Sequence, residues 1–242
     1  MAPTGDPTPP RGAGSAQPIR GLPTEAEAEA LARQLLADEG TRLPHVRTAG
    51  FLASRLSGLF DAEEAALLVA AASLHDIGYS AQVVRTGFHP LDGGLYLRAA
   101  GHPERLAALI AHHSLACLMA PEQVVDELDA HFPQEHSLLV DALVFSDMHS
   151  APDGRIIRGE TRLADIAARR PTEYQARRAT GLRAAMGRVG AAILAVSSAP
   201  PDSTTDEADA ESDLDSWWIQ EARRCVAAAE QAGPDPVEST PR

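Results

Sequence analysis

From Thr24 onward apolar residues recur at spacings of three and four, the pattern of helices that bury one face. A run of Glu and Ala follows Thr24, which therefore reads as an N-cap, and Gly40 reads as the C′ glycine that closes this first helix. A second helix is expected from Leu43 to Leu59. A third opens on Asp61-Ala62-Glu63-Glu64, a capping-box pattern, and runs through Leu67, Leu68 and Leu74 to stop near Gly78. A polar loop around Tyr79 to Phe88 separates it from helices expected at 90–100, 103–119, 122–131 and 135–148. Gly101 and Pro121 punctuate that series. Beyond a loop at 150–154, helical spacing resumes at 161–169 and 172–197. Apolar and polar residues never alternate long enough to predict a strand, so the expected fold class is all-α.

The ends read differently. Residues 1–22 are rich in Pro, Gly and Thr and predict a disordered leader; 198–214 predict an acidic Pro/Ser/Thr linker. Between them, 23–197 are expected to form one helical domain. Residues 215–242 hold an amphipathic helix with Trp217, Trp218, Ile219 and Val226, followed by a tail. Docking of this helix on the same domain is preferred to docking on a partner.

Composition narrows the class. With aromatics at only 4% of 242 residues, the core must come from Leu, Ala, Val and Ile, which suits packed helices better than a sandwich of sheets. All 21 basic residues are Arg, and the formal net charge of −13 argues against a nucleic-acid coat or a membrane-surface binder. Cys117 and Cys225 form no CxxC pair and are expected as two thiols. No hydrophobic leader segment is visible, and no apolar run is expected to reach the length of a membrane span, so the expected location is cytoplasmic.

The candidate chemistry lies on apolar faces. His45 shares a helical face with Ala49, Leu52, Leu56 and Leu59; His75 follows Leu68 and Ala71, with Asp76 beside it; Asp147 follows Val140, Leu143 and Val144. His89 opens a helix after the polar loop. His112 and His113 are adjacent, so both cannot point straight into a core, and which of them is a ligand stays open. One buried His or Asp is usually a satisfied core residue. Four or five imidazoles and two carboxylates buried together cost on the order of several kcal/mol each unless a cation neutralises them. A thiolate-free N/O set suits Fe, Mn, Zn, Ni or Co.

The order His45, His75-Asp76, Asp147 resembles the H…HD…D signature of the HD-domain superfamily of metal-dependent phosphohydrolases. The surrounding Ala71-Ala72-Ser73-Leu74-His75-Asp76-Ile77-Gly78-Tyr79 is similar to that family's "LLHDIG" core, and the likeness spans about 43–150. It implies an HD-domain helical bundle whose first divalent metal is held by His45, His75, Asp76 and Asp147. His89 with one or both of His112 and His113 would hold a second metal, Asp76 bridging. The style is that of small bacterial HD proteins with a dinuclear ligand set. The implied reaction is hydrolysis of a phosphate ester, of nucleotide or dinucleoside polyphosphate type, by metal-activated water. Asp76 is then central to catalysis, and Arg85 is the first candidate to steady the developing charge and contact substrate, followed by Arg47 and Arg155. The expected partner is a small phosphorylated substrate, without nucleic acid or membrane; a homodimer stays open. A mixed-valent di-iron oxygenase and a non-catalytic ligand-sensing domain are the alternatives that share these residues.

Overall fold

A computed structural model describes residues 20–169, 173–197 and 212–237. Ten α-helices follow one another: α1 Glu25–Leu36, α2 Arg42–Arg55, α3 Ala62–Leu74, α4 His89–Ala99, α5 Glu104–Ala111, α6 Glu122–His131, α7 Leu138–Met148, α8 Gly159–Arg169, α9 Glu173–Ser197 and α10 Ser212–Ala232. Short 3-10 turns link some of them, and the described residues form no strand. A single bridge, Ser150 to Ile156, closes the loop after α7. The chain is all-α, as its apolar spacing predicts. Most of the expected leader and linker lies outside the described residues, although α10 begins inside the stretch expected as linker.

The starts of the helices follow local chemistry. At α1 the capping box is complete: Glu27 N–H donates to the Thr24 hydroxyl, and Thr24 N–H donates to the Glu27 carboxylate at 2.8 Å. At α3, Asp61 accepts from the backbone N–H groups of Glu63 and Glu64, a cap worth about 1 kcal/mol. Two helices form the centre. α3 is buried continuously from Leu67 to Leu74, and α7 is buried along nearly all its length. Both are apolar over most of their surface, as helices surrounded by other helices must be, although α7 buries Asp141, Ser146 and Asp147. α1, α2 and α5 pack on α3, while α2 and α9 pack on α7.

α10 lies along α9, where Gly187 and Gly190 bring the two backbones close: a Cβ on Gly190 would stand 2.5 Å from the Ala222 carbonyl oxygen. Trp218 is buried and meets Phe145 of α7 edge-on at 5.4 Å. The tryptophan helix therefore docks on its own domain. Contrary to expectation, one stretch, Ala176–Ser197 of α9, is long and apolar enough to cross a bilayer by length and composition. Here it packs against α7 and α10, burying Leu182, Ala185, Met186, Val189 and Ile193.

Some boundaries differ from the periodicity. α3 ends at Leu74, so His75 is its C-cap rather than an interior residue. α2 gives way after Arg55 to a 3-10 turn at Ser57–Leu59. The largest difference is the helix expected over 103–119, which stops at Ala111. The chain then turns through two non-glycine residues in the left-handed region, Ser114 (φ 50°) and Leu115 (φ 57°). Left-handed backbone costs such residues about 1–2 kcal/mol each. Distant residues hold the break: Arg178 of α9 donates to the Ser114 carbonyl at 2.9 Å, and the Ser114 hydroxyl donates to Asp147 of α7.

Candidate metal centre

Six side chains predicted from sequence converge at one end of α3. His45 lies in the first turn of α2, His75 caps α3, and Asp76 follows it. His89 is the first residue of α4, His113 sits in the break after α5, and Asp147 is the penultimate residue of α7. All are at helix ends, where the backbone can aim neighbouring side chains at one point without continuing a helical face. Gly78 makes the approach of α4 possible. A Cβ there would lie 1.9 Å from the His89 carbonyl oxygen, so only glycine lets the turn after Asp76 pass so close to His89.

Two groups share Asp76. In the first, His45, His75 and Asp76 present donor atoms within 4.8 Å of one another; in the second, Asp76, His89 and His113 do the same. Asp147 joins the first group, its Oδ1 3.1 Å from His45 Nε2 and 3.8 Å from His75 Nε2. Asp76 Oδ2 faces His45 at 3.8 Å, whereas Oδ1 stands 3.7, 3.4 and 3.8 Å from Nε2 of His75, His89 and His113. Asp76 thus has an oxygen toward each group, the disposition expected of a bridging carboxylate.

The hydrogen bonds behind the rings define which nitrogen faces inward. His75 Nδ1–H donates to the Ala72 carbonyl at 2.8 Å, and His113 Nδ1–H donates to the Ile110 carbonyl at 2.7 Å. Neutral imidazoles held this way turn an Nε2 lone pair toward the centre. His75 Nε2 meets His45 Nε2 at 3.2 Å, and His113 Nε2 meets His89 Nε2 at 3.3 Å. A proton on His45 can point at His75 or at Asp147 but not at both. A cation accepts every one of these lone pairs at once, so the buried groups fit a metal ion.

Electrostatics agree with an anionic, cation-seeking core. Burial opposes the charge on Asp76, yet the His75 ring, the hydrogen bond from His89 and the other imidazoles hold it well below the usual carboxylate range. Asp147 is likewise held well below, its burial outweighed by the His45 hydrogen bond and the His75 ring. Burial, with repulsion from His75 and His89, pushes His113 down to about 3, so it is neutral at physiological pH. His75 is lowered mainly by burial, against the pull of both carboxylates. His45 goes the other way: Asp147 and Asp76 overcome its burial and raise it.

A cavity of about 200 Å³ opens on these groups, and its wall carries Arg42, Arg162, Arg169 and Arg178. Arg42 donates to Asp76 Oδ2 at 2.8 Å and lies over the Tyr79 ring, which stacks on His89 at 3.9 Å. This column holds His89 in place. Arg162 is buried, with Nε and Nη1 lacking any hydrogen-bond partner.

The structure separates the histidine doublet. His113 enters the second group, whereas His112 donates Nε2–H to the Phe132 carbonyl at 3.0 Å and lines a different cavity beside Gln134 and Leu138. The three arginines expected at the substrate are elsewhere. Arg85 is exposed in the loop before α4, Arg47 pairs with Glu29, and Arg155 pairs with Asp153. None of them lines the cavity above the histidines. Sequence reading missed Arg42, Ser114, Arg162, Arg169 and Arg178, and it gave no role to Tyr79, although that residue closes the motif stretch. It also missed Asp92, a fully buried carboxylate that accepts from the N–H groups of Thr86 and Gly87 at 2.8 and 3.0 Å and so shapes the loop leading into His89. Both cysteines are free thiols, as expected. Compared with protein-family models, curated proteins and solved structures, the chain matches none; the histidine and aspartate clusters are compatible with an HD-type metal site.

Proposed function

We propose that this chain is a metal-dependent hydrolase of phosphate esters of the HD type. The observation that carries the reading is the convergence of four imidazole Nε2 atoms and two low-pKa carboxylates beside a cavity walled by four arginines. His45, His75, Asp76 and Asp147 would hold one divalent ion; His89 and His113, with Asp76 shared, would hold another. Ions bound there supply Lewis acidity and a water acidic enough to attack near neutral pH.

The chain's own residues do the rest. Arg42 donates to Asp76 Oδ2, the oxygen that also faces His45, and so fixes the carboxylate with Oδ1 turned to His75, His89 and His113. Ser114 donates to Asp147 and orients it. Carbonyls of Ala72 and Ile110 hold His75 and His113 with Nε2 forward. Arg162, which lines the cavity, is a guanidinium of the kind that steadies charge developing on phosphorus. A net charge of −13 makes such a local basic wall necessary for any anionic substrate.

The test is metal analysis followed by a phosphoester panel that includes nucleotides and dinucleoside polyphosphates. Phosphate release without oxygen uptake is expected. Asp76→Ala should lose bound metal and lower turnover by roughly a thousandfold; full turnover in that variant would sink the reading.

A further inference from the structure

A second cluster lies away from the cavity, under α10. His149 caps α7, two residues beyond Asp147, and Glu221 and Cys225 stand one turn apart on α10, facing it. Their relative exposures are 0%, 2% and 5%, so water reaches none of them freely. His149 Nδ1–H donates to the Phe145 carbonyl at 2.7 Å, which turns Nε2 toward the α10 pair. Nε2 then lies 3.2 Å from Glu221 Oε1 and 3.8 Å from Cys225 Sγ, and all three donors fall within 4.8 Å of one another.

Those separations are close to the edges of a tetrahedral coordination shell. Tetrahedral zinc bonds place nitrogen and oxygen ligands about 3.3 Å apart, and nitrogen and sulfur about 3.6 Å apart. Further features support a built site. Gly159 N–H and Arg224 donate to the two oxygens of Glu221, at 3.2 Å each, and orient the carboxylate. A cavity of about 40 Å³ borders Glu221 and Cys225. A carboxylate and a thiolate cancel the charge of a divalent ion, and a sulfur-nitrogen-oxygen set suits zinc.

We propose that His149, Glu221 and Cys225 bind a zinc ion that pins α10 to the end of α7. The site differs in kind from the first centre, which has no sulfur, and stands whether or not the chain hydrolyses phosphate esters. Zinc at this point would couple the docking of α10 to the segment that carries Asp147.

Cobalt(II) replacement separates the sites, because only a thiolate ligand produces a sulfur-to-cobalt charge-transfer band in the near ultraviolet. The metal-free full chain, titrated with cobalt(II), should develop that band, and Asp76→Ala should retain it. The band should vanish in Cys225→Ala and survive in Cys117→Ala. Absence of the band in the unaltered chain overturns the proposal. So does its loss in Cys117→Ala, a measurement that stays decisive should the Cys225 variant fail to fold.

Discussion

Two buried polar clusters flank the end of α7, and they are built to opposite plans. Asp147 points into a set of histidines and carboxylates that opens on a cavity of about 200 Å³ with arginines in its wall. His149, two residues later, points to Glu221 and Cys225 beneath α10, where all three are buried. The first set faces a cavity that can admit substrate; the second lies between two helices and can join them. One short segment thus faces proposed chemistry on one side and cohesion on the other.

Variants can break this contrast in graded steps. The largest effect is expected from Trp218→Ala, which removes the ring packed edge-on against Phe145. It should cost about 3–5 kcal/mol of stability in a denaturant titration while leaving the metal content of the first centre intact. If that centre lost its metal in step, the two clusters would be one unit. Gly78→Ala attacks the other side. Its Cβ would overlap the His89 carbonyl oxygen, so a loss of about 1–3 kcal/mol is expected, with weaker metal retention because His89 must shift. Unchanged thermal unfolding and metal content would show that this close approach is dispensable.

Arg162→Met sharpens the functional half. A buried guanidinium whose Nε and Nη1 make no hydrogen bond, with a long 3.9 Å ion pair to Asp165, costs stability, and an apolar side chain of similar length should leave Tm the same or higher. The Michaelis constant for a phosphorylated substrate should rise about tenfold or more, since one charge-assisted contact is worth about 1.5–3 kcal/mol. A fall in Tm with unchanged kinetics would assign Arg162 to the fold alone. The smallest effect is expected from Arg85→Ala, Arg47→Ala and Arg155→Ala. These exposed side chains stand off the cavity, and each change should stay within about 0.5 kcal/mol in stability and about twofold in turnover. A large kinetic loss at Arg85 would mean that the loop before α4 folds over the substrate.

Much of the molecule is legible in the chain because its causes are local. Thr24 with Glu27, and Asp61 before Glu63 and Glu64, carry their caps within three residues, and the three-four apolar spacing is enough for an all-α class. The donor types of the first centre are partly legible too, since His45, His75 and Asp147 interrupt apolar faces that a buried helix would otherwise complete.

What the sequence by itself determined is therefore the helical class, most helix starts and the set of metal-seeking residues. Tertiary structure alone decided which of His112 and His113 turns inward, because the break after Ala111 is held by Arg178 and Asp147, 64 and 33 residues away from Ser114. It also decided that Arg42, Arg162, Arg169 and Arg178, rather than the arginines nearest the motif, wall the cavity, and that His149 meets Glu221 and Cys225 across more than 70 residues. Helical periodicity extends over a few turns, whereas a site is made where helix ends from distant parts of the chain are packed together.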